Sequence, residues 1–230
     1  MLVTDYFTYL PHAAGVELTA GPVVVNTSEK EFDHPSGDKN VYVRYAGSGG
    51  VQLKNIWRKF VFGWMFDGTR FLLSTYPTPE SRVMFHRRIR ERVSTLAPFL
   101  HFDEDPYVVS TTDGLFWIQD AYTTADNYPL APAVEGGFNY IRNAVKVVVD
   151  AYHGKVTYYV SDSTDPIINA YRRMYPGVFR PLTEMPAALQ KHIRYPRDIF
   201  LTQVAVYAKY HQQDPERFYR QEDIWEFSKV

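Results

Sequence analysis

The chain contains no cysteine. That excludes disulfides, thiol nucleophiles and thiolate zinc sites, and it suits either the cytoplasm or a bacterial surface. An excess of charge is also lacking: 25 Lys plus Arg stand against 26 Asp plus Glu, a formal net charge of −1. General nucleic-acid binding needs a basic surface to displace counterions, so that class is set aside. The sequence has no run of about 18–20 uncharged apolar residues, the length a helix needs to cross a bilayer. The start, MLVTDYFTYLPHAAG, has Asp5 inside its apolar part and no basic leader, and reads as a poor signal peptide. The signatures GxSxG, HExxH, GxxxxGK[ST] and the EF-hand loop are missing as well. Their absence removes the easy enzyme identifications without excluding catalysis.

What is present is ordinary in bulk and unusual in detail. With 45% hydrophobic and 22% charged residues the chain is a folding, core-forming one, not a disordered one. Its 18 Tyr, 15 Phe and 4 Trp point to a large aromatic core. Residues 1–20 lack periodicity and read as an arm, and 21–230 read as one domain without a Gly- or Ser-rich linker. GPVVVNT (21–27) predicts a strand, EKEFDHPSGDKN (29–40) a loop, and NVYVRYA (40–46) a weaker strand. After Gly47-Ser48-Gly49-Gly50 a helix is predicted over 52–66. A second is predicted from Thr78 as N-cap, with Pro79 at its first position and Phe85, Ile89, Val93 and Leu96 as one stripe.

Two hairpins follow, 107–110 with 115–123 through Asp113-Gly114, and 144–152 with 155–161 through His153-Gly154. Asp165-Pro166 starts a helix to about Tyr175, and further helices punctuated by prolines fill 183–226. The pattern predicts an α+β fold with a central antiparallel sheet of hairpins flanked by N-terminal and C-terminal helices.

Several groups carry candidate chemistry, each beside a plainer reading. Asp120 and Asp150 sit in the echoing strings IQDAY and VVDAY, and two close carboxylates would split into acid and base. The plainer reading is two turn caps. Asp103 and Asp105 in one loop, and Asp162 and Asp165 in another, could supply part of a hard-cation shell, or a solvated turn and a helix cap. GSGG before a helix could cradle phosphate, though no Lys-Ser/Thr follows. WIQDAYTTADNYP (117–129) offers Tyr122, Thr123, Thr124, Asp126, Asn127 and Tyr128 as a ligand-facing loop for a sugar or peptide. KNIWRKFVFGWMF (54–66) sets Trp57, Phe60 and Trp64 around a helix with cations at one end. It is either buried or laid against a membrane or partner domain. No cofactor is expected.

The strings EFDHPSGDKNVY, GSGGVQL, TPESRVMFHRRIRERVSTLAPFLHFDEDPY, WIQDAYTTADNYP, NYIRNAVKVVVDAYHGKVTYYVSDSTDPIINAYRRMYPGVF and RYPRDIFLTQVAVYAKYH run in this order through residues 31–211. In them the chain resembles uncharacterised protein family 0182. The resemblance implies a soluble region on the extracytoplasmic side of a bacterial membrane protein with several N-terminal spans. It carries no catalytic residues to transfer. The leading expectation is therefore a non-catalytic envelope domain that binds a ligand or partner, its own membrane-spanning region or another envelope protein. The alternatives are a polysaccharide hydrolase using Asp120 and Asp150, and a structural domain docking through the 54–66 helix.

Overall fold

The computed structural model describes residues 21–67, 69–133 and 137–220, with 222 and 225; the predicted arm over 1–20 lies outside them. Three short strands, β1 (Val23–Val25), β4 (Val51–Gln52) and β5 (Arg82–Met84), make a small antiparallel sheet with β5 in the centre. A separate hairpin pairs β2 (Glu31–Ser36) with β3 (Lys39–Val43). Between β4 and β5 run α1 (Ile56–Phe62), a π turn (Gly63–Asp67) and α2 (Thr69–Leu73).

Two sequence expectations are corrected here. Residues 29–40 hold a strand instead of a loop, turned by Gly37 at φ +60°. The helix expected from Thr78 begins only at α3 (Ile89–Leu96), because Val83 is drawn into the sheet between Val24 and Val51. Nonlocal pairing outweighs a helical spacing that Phe85 shares by coincidence.

The larger sheet is β6 (His101–Phe102), β7 (Tyr107–Thr111), β8 (Gly114–Ala125), β9 (Tyr140–Asp150), β10 (Val156–Val160) and β11 (Phe179–Pro181). It is antiparallel except for β11, which runs parallel to β10. The long strand β8 pairs along one side with β9, and along the other with β7 in its first half and β6 in its second. Both predicted hairpins are therefore present, and the architecture is α+β.

Both faces of this sheet are covered. On one, Trp117, Ala121, Val145, Val147 and Val149 meet Ile89 and Val93 of α3 and Ile168 of α4 (Pro166–Met174). The Tyr158 hydroxyl fixes that layer by donating to the Val93 carbonyl at 2.9 Å. On the other, Ile118, Val148 and Tyr159 meet Met185 and Leu189, the latter from α5 (Ala187–Gln190). The two remaining helices, α6 (Arg197–Tyr210) and α7 (Pro215–Arg220), follow at the C-terminal end.

The small sheet is tied on by Tyr45, whose hydroxyl donates to the Tyr152 carbonyl at 2.9 Å and accepts from Gly49 N–H at 2.9 Å. Gly50 takes φ +68°, and a Cβ there would lie 2.6 Å from the Val83 carbonyl oxygen, so the loop accepts only glycine.

Candidate functional site

On the α5-side face of the large sheet, strand register sets Tyr159, Lys146 and Asp120 in one row. Lys146 and Asp120 are buried directly opposite each other. The ammonium donates to Asp120 Oδ1, and Asn143 Nδ2 donates to the same oxygen at 3.0 Å. Burial pushes the Asp120 carboxyl up; Lys146 and Asn143 pull it back, and neighbouring Asp103 adds to the rise. A desolvated pair of this kind holds only if its other hydrogen-bonding positions are met. Lys146 meets one of them by donating to the Arg194 carbonyl at 3.4 Å.

Asp103 extends the row past Asp120, to whose carbonyl its N–H donates at 3.0 Å. Its carboxylate accepts from the Tyr122 hydroxyl, from Asp105 N–H at 2.9 Å and from Asp198 N–H at 3.1 Å. Asp198 lies in the first turn of α6, where backbone N–H groups lack intrahelical partners. Asp103 thus caps α6 from 95 residues away. Burial, with Asp103 and Glu104 nearby, pushes the Asp198 carboxyl up, and burial beside Asp103 pushes the Tyr122 phenol far up.

The segment before α6 is held a third time. Arg194 N–H donates to the Tyr107 hydroxyl at 3.2 Å, and its guanidinium lies 4.3 Å from that ring's centroid. What this sealed row does chemically is fasten residues 194–198 to the sheet.

The sequence-predicted residues are distributed as follows. Asp120 and Asp150 are not brought together. Asp150 stands opposite Phe116, four positions along β9 from Lys146, and its Oδ1 accepts from Tyr152 and His153 N–H. At about 3.4 Å per residue that offset is about 14 Å, beyond the spacing either glycosidase mechanism uses. Asp103 has its oxygens filled by three donors. Among the described residues no three His, Asp or Glu side chains converge as a metal site. Asp105 meets Asp103 through its own backbone N–H.

The expected ligand loop is also split. Tyr122 and Thr123 lie inside β8 and are fully buried. The Thr123 hydroxyl donates to Asp165 Oδ2 at 2.7 Å, and Tyr140 donates to Oδ1 at 2.6 Å. Thr124 is half-buried opposite Ile141. Asp126 and Tyr128 are exposed beyond the strand, with Tyr128 stacked on Tyr140 at 5.6 Å. In the GSGG loop the carbonyls of Ser48, Gly49 and Gly50 converge on the Arg82 guanidinium, while the amides of Ser48 and Gly49 are taken by His153 and Tyr45. That polarity is the reverse of a phosphate cradle.

Two helical faces point outward instead. α1, capped by Asn55 accepting from Arg58 N–H at 3.0 Å, leaves Trp57 74% exposed, and the following π turn leaves Trp64 80% exposed. Phe60 is exposed on the same face, while Phe62 turns inward to Leu53 and Val83. α6 is apolar around most of its circumference, yet of its 14 residues only Ala208 is buried. A shallow cleft of about 500 Å³ runs beside it, lined by Pro132, Phe138, Ile141, Ala205, Val206 and Tyr210 among others. Sequence reasoning passed over α6 as a site. Its signal was visible in FLTQVAVYAKY, where apolar residues keep to no single face.

Fold and site together define an α+β domain with a sealed polar interior and two apolar helical faces turned outward. The chain belongs to the uncharacterised protein family UPF0182, whose model matches residues 15–230. A UPF0182 protein of Sulfurovum sp. is 50% identical over 210 residues, covering 89% of this chain and 23% of the relative. One from Cupriavidus necator is 52% identical over 210 residues, covering 91% and 23%. A third, from Pelotomaculum thermopropionicum, is 49% identical over 203 residues, covering 88% and 22%. The chain therefore spans about a quarter of the length of the curated relatives it matches. No solved structure matches it.

Proposed function

We propose that this chain is a non-catalytic, extracytoplasmic domain of a larger bacterial membrane protein, and that its work is to dock. Its α6 face seats against another part of the same protein, its membrane-spanning region first of all. The observation that carries the reading is α6 itself. A helix with so wide an apolar face is ordinarily a buried one, yet this one leaves Phe200, Leu201, Val206, Tyr207 and Tyr210 exposed and buries a single residue within the chain. Relatives whose length lies mostly outside the matched portion supply candidates for its cover. The membrane setting is the one the family resemblance implies. The sealed row of Asp103, Asp120 and Lys146 supports holding over chemistry, because its charges are spent on fixing the root of α6.

Photo-crosslinking in the full-length protein tests this. A benzophenone side chain at Val206 or Tyr207 is expected to capture a segment outside residues 15–230 of the same polypeptide. Recovery of uncrosslinked protein only, with the probe solvent-accessible, would reject the docking role of α6. Placement is tested by Asp126→Cys in a cysteine-free background. Labelling of intact cells by a membrane-impermeant maleimide is expected, and labelling only after lysis refutes the extracytoplasmic assignment.

A further inference from the structure

The α1 face differs from α6 in its surroundings, and the difference points to a different occupant. Ile56, Trp57, Phe60, Val61 and Trp64 recur at spacings of one, three, one and three, which puts them on one side of the helix and the π turn that continues it. All five are exposed. Leu73, the last residue of α2, and Tyr76 just beyond it are exposed as well.

Charge is concentrated here. Between Arg44 and Arg92 the sequence holds ten Lys or Arg and three Asp or Glu, whereas the remainder holds fifteen and twenty-three. Of those ten, Lys54, Arg58, Lys59 and Arg70 lie on or beside α1 and α2, next to the aromatic face. The cations nearest that face satisfy carbonyls: Arg58 donates to Gln52 O at 3.0 Å, and Lys59 to Ser74 O at 2.5 Å. Among the described residues, Lys54, Arg58, Lys59 and Arg70 form no ion pair, so their charge is left uncompensated.

We infer that the α1 face is a monotopic lipid contact that sits in the headgroup region of an anionic bilayer. Tryptophan at two exposed positions suits an interface that is apolar on one side and wet on the other. Flanking Lys and Arg suit lipid phosphates, which attract a basic segment within a Debye length. A protein partner is the less fitting cover, since it would have to bring enough acidic groups to match the unpaired cations. The inference deepens the docking reading, because it rests on the domain lying at a membrane surface, but it concerns a different face.

Flotation of the 230-residue chain with vesicles of phosphatidylcholine containing 30% phosphatidylglycerol tests it. The wild type is expected to float with these vesicles, and at least tenfold less with pure phosphatidylcholine or in 1 M salt. Trp57→Glu/Trp64→Glu is expected to reduce the bound fraction at least tenfold while the thermal midpoint is unchanged, both side chains being exposed. Tyr207→Glu on α6 is expected to float as the wild type does. Absence of wild-type binding, or equal binding by the double glutamate variant, overturns the inference. So does a benzophenone at Trp64 of the full-length protein that captures polypeptide instead of lipid. Failure here with the α6 crosslink intact sinks the lipid contact alone; loss of the α6 crosslink with flotation intact sinks the α6 docking alone.

Discussion

α4 and α6 are both capped by an aspartate, and they differ in where the aspartate comes from. α4 is capped by Asp165, the residue before its first, which accepts from Ile167 and Ile168 N–H. α6 starts after Pro196 with no side-chain cap of its own, and Asp103 reaches its first turn from 95 residues away. The same contrast runs through their faces. α4 buries Ile168 completely and packs Tyr171 at a tilt against Phe99, ring centroids 4.6 Å apart, while its polar side meets water. α6 gathers Asp198, Thr202 and Lys209 on one narrow side, leaves Phe200, Leu201, Val206, Tyr207 and Tyr210 exposed over the rest, and buries one alanine. A helix with its own cap and stripe is finished within the domain. One anchored from outside its own segment, with apolar residues exposed over most of its circumference, suits the docking role proposed for it.

Seven variants break or sharpen that contrast. Lys146→Met leaves the Asp120 carboxyl buried without its partner and frees the Arg194 carbonyl. Denaturant unfolding is expected to show a loss of about 3–5 kcal/mol, most of it recovered in Asp120→Leu/Lys146→Met. Asp103→Ala removes the acceptor of three donors at once. It is expected to cost about 3–4 kcal/mol, with hydrogen-exchange protection falling first in α6; protection lost evenly through the sheet would sever Asp103 from α6.

Asp165→Ala is expected to cost about 2–4 kcal/mol, a lost cap plus the stranded Thr123 hydroxyl. There the exchange is confined to α4. Tyr140→Phe has a smaller effect, read in the pH dependence. Burial and the Asp165 carboxylate push the Tyr140 phenol up to about 12. Its folded value exceeds the unfolded value of about 10, so its share of stability is intact below about pH 10 and is lost as pH rises through about 12. Unfolding midpoints between pH 9 and 12 should fall less steeply in the variant. Val206→Ser on α6 is expected to change the stability of the isolated chain by less than about 0.5 kcal/mol. Ile168→Ala, its counterpart on α4, costs about 2–5. A comparable loss at Val206 would mean that α6 is already packed.

Much of the frame was legible because its causes are local. Asp113-Gly114 and His153-Gly154 set the hairpins, and Asp165-Pro166 sets the start of α4. Each works within four residues. The misreadings share the opposite cause. Val83 becomes a strand residue because Val24 and Val51 arrive on either side of it. Tyr122 and Thr123 read as residues of a ligand loop because polar and aromatic residues crowd the segment after the strand, and a polar group is buried only where a partner meets it. Their partners, Asp103 and Asp165, come from other elements. Asp120 likewise drew attention as half of a carboxylate pair, where the register gives it a lysine.

The absence of cysteine and of any membrane-length apolar run, the hairpin turns, the cap of α4 and the aromatic stripe on α1 are all written in short-range spacing. Steric and hydrogen-bond preferences of neighbouring residues are enough to set them. Which buried charges meet, what caps α6, and which apolar faces are left outside depend on contacts between residues up to a hundred positions apart. Those were decided only when the sheet closed, because a charge or a helix end has no fixed worth until its surroundings are known.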